Sequence, residues 1–420
     1  MREHLGKLDR VAAGLRALPG GKTSFASTQA AWRFFANPDV TLRRLAEPLL
    51  AAATAAVADE RLAWSLVVHD WTDLNFKHHA EKADRIRMCS AGTLGYWLQS
   101  SLLISSRDGR PVAPLSQSLW TSDGIRTTRT DQLVADQPQI DELSAAMAHV
   151  DGLGLGPPVV HIADRGADSV GHYRAWLRLG HTFLVRADAK PRVVFEGVTM
   201  PLGAVADRLD LRPSREVELE AGVYGQQFVA ETRVVIERAA VPHRQRGGVK
   251  EKRTVVRGEP IELRLVVSQV RAPDERVVSE WLLLTNADGV EAEEVALWYY
   301  WRWKIESYFK LLKGAGHQVE SWRQESGEAL AKRMLVAGMA CVTVWQLARS
   351  KAAEAEAARA LLVRLSGRQM RWGVAFTEPA LLAGLWVFLA MLDALERYTP
   401  EQLEQMARTI LPGFTHYDRE

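Results

Sequence analysis

The stretch WYYWRWKIESYFKLLKGAG, residues 298–316, decides how the rest of the chain is read. Its spacing predicts one helix with two distinct faces. At 100° per residue, Leu297, Trp298, Trp301, Ile305, Tyr308, Phe309 and Leu312 fall within an arc of about 120°, a stripe wide enough to bury. Beside it, Tyr299, Arg302, Glu306 and Lys313 fall within about 60° of one another, so intervals of three, four and seven residues stack them along one edge. One carboxylate then stands among three donors. An ordinary i,i+4 salt bridge would account for Arg302 and Glu306 alone, but not for the Tyr and Lys that share their edge.

The pattern Y-x2-R-x3-E-x6-K, here Tyr299, Arg302, Glu306 and Lys313, resembles the signature of DDE transposases of bacterial insertion sequences, the YREK-signature group of the insertion-sequence-four family. The resemblance implies two aspartates upstream, each at the end of a buried strand, and both are found. WSLVVHD, residues 64–70, is an apolar, β-branched run that ends on Asp70; PPVVHIAD, residues 157–164, repeats the pattern and ends on Asp164. Around them HDWTDLNFKHH is similar to the stretch at the family's first catalytic Asp, ADRGAD to that at the second, and FLVRADAKPR to the strand that follows. Either aspartate alone would read as a strand-end turn residue; the constellation points to chemistry.

Outward from these runs, the spacing predicts strands over 93–106 and 112–122 joined by an Asp108-Gly109 hairpin turn, a helix over 140–150, a helix over 167–179 and a strand over 182–186. The resulting β-β-β-α-β-α-β order, with one acid closing the first strand and one the fourth, is that of an RNase H-like, retroviral-integrase-type mixed sheet. The fold expected is α/β: this core, a β-rich insertion, and helical N- and C-terminal regions. Residues 1–58 read as a helical DNA-binding region, 59–190 as the first part of the catalytic core and 191–278 as the insertion. Residues 279–350 read as the second part of the core with the Glu306 helix, and 351–420 as a helical region for dimerisation. Within the first region the run STQAAWRFFANPDV, residues 27–40, resembles the family's N-terminal DNA-binding helices, with Trp32, Phe34 and Phe35 read as core. Within the insertion, HRQRGGVKEKRTVVR, residues 243–257, carries six Lys or Arg against one Glu; it is either a solvated loop or a phosphate-holding one.

Composition agrees with a DNA-acting enzyme without demanding one. A chain of 420 residues, 47% hydrophobic, supports more than one core, and a net charge of +2 leaves nucleic-acid affinity to clustered Lys and Arg. Two cysteines, Cys89 and Cys341, stand far apart and support neither a disulfide framework nor a zinc motif. His69, His78 and His79 lie near Asp70 but in no H-E-x-x-H or comparable spacing, so they read as solvent-exposed or structural. Gly21-Lys22-Thr23 fails as a phosphate loop, because Arg16 stands where its first Gly belongs. The longest apolar run, residues 379–392, is short for a bilayer span, and a cytoplasmic protein without membrane attachment is expected.

Phosphodiester cleavage needs a basic water, a stabilised leaving oxygen and a neutralised phosphate, which two divalent metals about 4 Å apart can supply. Three carboxylates form the hard-oxygen cage that Mg²⁺ prefers, with Mn²⁺ able to substitute. The resemblance implies that Asp70, Asp164 and Glu306 hold two Mg²⁺ per site, while Tyr299, Arg302 and Lys313 bind flanking phosphates, Arg302 through its fork. It also implies stacking of an extruded base on Trp, for which Trp281 and Trp303 stand in the matching positions, with core packing the alternative for each. Arg186 and Lys190 are further DNA contacts by resemblance. The partners implied are double-stranded DNA, as terminal inverted repeats and target, and a second copy of the chain, with no small-molecule cofactor. Water attack at the element's end, a hairpin intermediate, its reopening and strand transfer would then constitute cut-and-paste transposition. The rival readings are an end-binding regulator, motivated by terminal regions shorter than the family usually has, and a plain metal-dependent nuclease. A glycoside hydrolase would need two acids alone and no metal.

Overall fold

The computed structural model of the chain describes residues 21–88, 93–220, 222–241 and 255–410, and it forms two compact units. One comprises Pro38–Phe309 with Glu325–Leu335; the other comprises Met1–Asn37, Lys310–Gln324 and Val336–Glu420.

The first unit is built on one large mixed sheet. Its strands are β1 (Ser65–Asn75), β2 (Ile86–Arg87), β3 (Leu94–Ser105), β4 (Pro111–Thr121), β5 (Gly124–Thr127), β6 (Val159–Ala163) and β7 (Phe183–Ala187), followed by β8 (Arg192–Phe195), β9 (Val198–Pro201), β10 (Arg212–Glu220), β11 (Val223–Ile236), β12 (Ile261–Arg271) and β13 (Val277–Thr285). They pair in the order β5-β4-β3-β1-β6-β7-β13-β12-β11-β8-β9, with β10 on β11 and β2 on β3. Among the described residues, only β1–β6 and β6–β7 are parallel. Parallel neighbours need long crossovers, supplied here by the helices α3 (Gln139–Asp151) and α4 (Val170–Leu179); the helix before them, α2 (Leu42–Glu60), opens on the N-cap Thr41, and the short α5 (Leu202–Ala206) follows β9.

One expectation is corrected here. β1 does not end on Asp70; it runs five residues further. What ends there is its parallel pairing, which spans Ser65↔Val159 to His69↔Ala163, while antiparallel pairing to β3 continues to Asn75. Residues 65–70 are all buried, as a strand flanked on both sides requires. Residues 191–278 are β-rich as expected, with strands β8 to β12 among the described residues. They continue the core sheet through β13, whose Leu284 faces Val185 of β7. The basic segment 243–257 lies outside the described residues as far as residue 254.

The single helix expected over 298–316 is two: α6 (Ala292–Trp301) and α7 (Lys304–Leu312). Between them the N–H groups of Arg302, Ile305 and Glu306 each bond three residues back, to Tyr299, Arg302 and Trp303. Such overwinding breaks the 100° phase that sequence spacing assumes. The cause is visible at both flanks. Trp301 is pinned by the β3–β4 hairpin, where a Cβ on Gly109 (φ +68°) would stand 2.3 Å from its ring, and Arg302 is drawn into a buried ion pair.

The second unit is helical among its described residues: α1 (Gly21–Ala36), the second part of α8 (Gly327–Arg349), α9 (Ala353–Ser366), α10 (Glu378–Leu395) and α11 (Pro400–Ile410). α9 and α10 touch so closely that a Cβ on Gly384 would meet the Leu362 carbonyl oxygen at 1.9 Å. In α1, Phe35 is buried but Trp32 is half-exposed, so Trp32 is not the core residue expected. α8 and α10 are long and apolar enough to cross a bilayer by length and composition, a test that core helices of soluble proteins also pass; α8 is mostly buried.

Candidate active site

Asp70 projects from β1 where the strand loses its parallel neighbour. Its Oδ1 accepts the Trp71 N–H at 2.8 Å and its Oδ2 accepts Arg302 Nη1–H at 2.5 Å. The carboxyl is buried and lifted from 3.8 to about 6. Burial is the main cause; Arg302 and the Trp71 N–H oppose it, and the charges of Asp164 and Glu306 add to it. Asp164 and Glu306, 94 and 236 residues further along the chain than Asp70, therefore act on it in space.

Asp164 follows the last residue of β6 and caps a 3-10 turn, Arg165–Ala167, its Oδ1 accepting the Gly166 N–H at 2.8 Å. Two residues on, a Cβ on Gly166 would stand 2.8 Å from the Trp71 ring and 3.0 Å from Asp164 Oδ1, so any larger residue must displace one of them. Glu306 lies half-buried in the first turn of α7, where the helix dipole favours an anion.

The remaining residues singled out by sequence do not share one environment, and Arg186 lies half-buried in β7. Arg302, Tyr299 and Trp281 are buried together. Arg302 pairs with Asp70, its guanidinium lies over the Trp303 ring at 5.0 Å, and its buried Nε–H has no acceptor among the described residues. The Trp281 and Tyr299 rings meet edge to face at 5.1 Å, and burial raises the Tyr299 phenol, with Arg302 and Arg186 opposing. Trp303, by contrast, is 53% exposed. Lys190 is exposed in an open cleft that it lines with Arg165, Asp168, Asp188, Pro191 and Arg238. Lys313 lies just past α7, in the other compact unit, where its carbonyl accepts the Gln318 N–H at 2.8 Å.

Sequence spacing missed a second cluster. His69 is neither exposed nor isolated: it is buried, bonded through Nδ1 to Ser101 Oγ and through Nε2 to His161 Nδ1, both at 2.9 Å. His161 Nε2 meets Asp151 Oδ1 at 3.0 Å, and His181 Nδ1 meets Asp151 Oδ2 at 2.5 Å. Burial drives both His69 and His161 below the ordinary histidine value, so both are neutral. His78 is exposed, and His79 contacts Glu81 and Lys82.

Asp70, Asp164 and Glu306 offer oxygen donors only, the set suited to Mg²⁺ or Mn²⁺. Asp70 already bears a cationic partner, which is how a buried carboxylate in acidic company stays usable. The family model described as a transposase DDE domain matches residues 65–342, which is 278 of the 420 residues, from the first residue of β1 into α8.

Proposed function

The chain belongs to the transposase DDE-domain family, and from that premise we propose that it is a cut-and-paste transposase of the YREK-signature group, acting on DNA in the cytoplasm. The observation that carries the proposal is the convergence on Asp70: its carboxyl feels both Asp164 and Glu306 while Arg302 compensates. The strand order β4-β3-β1-β6-β7, with only β1, β6 and β7 parallel, supports an RNase H-like core around it.

In this reading Asp70, Asp164 and Glu306 hold two divalent cations, which when bound activate water and stabilise the leaving oxygen. The chain's own groups position the DNA. Arg302, with a buried Nε–H to spare and a fork geometry, holds a phosphate flanking the cut, supported by Tyr299 beneath it; Lys313 is a further DNA contact. Trp303 offers its exposed ring to an unstacked base; the buried Trp281 braces Tyr299 from behind. Arg186 and Lys190 extend the contact along the terminal DNA. Hydrolysis exchanges one P–O bond for another and leaves a 3′-OH, whose attack on target phosphate again exchanges one P–O bond for one, so no energy-carrying cofactor is needed. A homodimer, which the family resemblance implies, would bring the two element ends to one place for joining.

The test is cleavage of a labelled duplex bearing the element's terminal repeat, with Mg²⁺, Mn²⁺ or EDTA, by the wild type and Glu306→Gln. Metal-dependent cutting to a 3′-OH or hairpin, followed by joining, is expected for the wild type, with a loss of at least about 10³-fold in the variant. Cutting without joining would reduce the reading to a nuclease. Binding of the end without cutting under either metal would replace it with an end-binding regulator.

A further inference from the structure

We propose that Asp151, His161 and His181 form a binding site for a first-row transition cation, Zn²⁺ foremost, separate from the Asp70, Asp164 and Glu306 site. One ligand atom from each residue lies within 4.8 Å of the others, and two buried imidazoles converge on opposite oxygens of one carboxylate. Nitrogen-rich sets select Zn²⁺ over Mg²⁺, and two His with one Asp leave a fourth, tetrahedral position for water. Asp151 is a third exposed, which gives the cation a route in, while His161 and His181 are buried.

The surrounding network fits such a site. A metal-bound histidine donates its other ring N–H to an outer partner that fixes its tautomer. His161 has one: with a cation on Nε2, its Nδ1–H donates to His69 Nε2 at 2.9 Å, and His69 Nδ1–H donates to Ser101 Oγ at 2.9 Å. Without a cation the same four groups bond in the opposite sense, Ser101 Oγ–H to His69, His69 Nε2–H to His161, and His161 Nε2–H to Asp151. An imidazole chain with two allowed hydrogen-bond directions thus accommodates a cation on His161 by shifting tautomers. The ligands come from three elements: Asp151 is the last residue of α3, His161 sits within β6, and His181 precedes β7. The cation would tie the α3 terminus to the strand that delivers Asp164.

The full chain carrying Glu306→Gln, in excess Mg²⁺ so that the carboxylate site is not read, is stripped with chelator and titrated with Zn²⁺ and with Co²⁺. About one equivalent per chain, a raised melting temperature and the intense visible bands of four-coordinate Co²⁺ are expected. His181→Ala and Asp151→Asn should each weaken binding by at least about 100-fold; Asp151→Asn, at an exposed helix end, serves where the histidine variant fails to fold. Binding well below one equivalent, or binding unchanged in a folded variant of either kind, would overturn the site and leave a closed hydrogen-bond network.

Discussion

Replacing Arg302 by alanine isolates the one positive charge that keeps Asp70 ionisable. In the native chain the carboxyl stands at about 6, against 3.8 ordinarily, despite that guanidinium. The folded state therefore resists ionisation that the unfolded chain allows. Stability falls as pH rises from about 4 to about 6, by about 3 kcal/mol in all, and is then level. In Arg302→Ala, burial and the charges of Asp164 and Glu306 act without opposition from this partner, so the carboxyl moves higher still. Its stability keeps falling above pH 6, by about 1.4 kcal/mol per pH unit, until the new value is reached. Near pH 5.5 Asp70 is largely protonated in both proteins, and the difference between them reduces to lost packing. At about pH 8 the variant should be a further 3 kcal/mol or so less stable, a ceiling set by the carboxyl taking up a proton in preference to standing as a bare buried charge. Urea unfolding of both proteins in EDTA, at intervals from about pH 5.5 to about pH 8, measures this directly. A difference that stays constant across the range would refute the account of Asp70.

Two further outcomes are expected. Gly166→Ala should lower cleavage by about 100-fold or more while costing little stability, because the new methyl displaces Asp164 or the Trp71 ring at an exposed turn; single-turnover cleavage beside a urea melt separates the two. The tryptophans should split: Trp281→Ala loses about 3–5 kcal/mol in unfolding experiments, whereas Trp303→Ala melts like the wild type and loses about 1–3 kcal/mol of affinity for an end with an unpaired terminal base.

The strands that carry Asp70 and deliver Asp164 were legible in the sequence because they are buried on both faces, and such strands read as apolar runs: SLVVHD and VVHIA. The Asp108-Gly109 turn announced its hairpin for an equally local reason. The extension of β1 to Asn75 was hidden, since a strand paired on one side mixes polar with apolar residues. The break at Arg302 was hidden more deeply. Helical arithmetic counts neighbours along the chain, and the group that draws Arg302 aside is Asp70, 232 residues away. The same blindness applies to Leu284 facing Val185, which joins the insertion to the core, and to Asp151, His161 and His181, whose intervals of 10 and 20 residues match no linear motif.

The seating of β13 beside β7 also governs when the site comes into being. Asp70 and Asp164 leave the ribosome on strands that can pair at once, but Glu306 follows Asp164 by 142 residues. At ordinary elongation rates that is about 7 to 28 s of synthesis. Throughout it the nascent chain carries two acids of three, and the helix bearing the third is anchored only after β13 closes against a strand made long before. On the proposed reading, a cutting centre assembled in this order lacks its third acid while the polypeptide is incomplete, and prematurely terminated chains lacking residue 306 never acquire it.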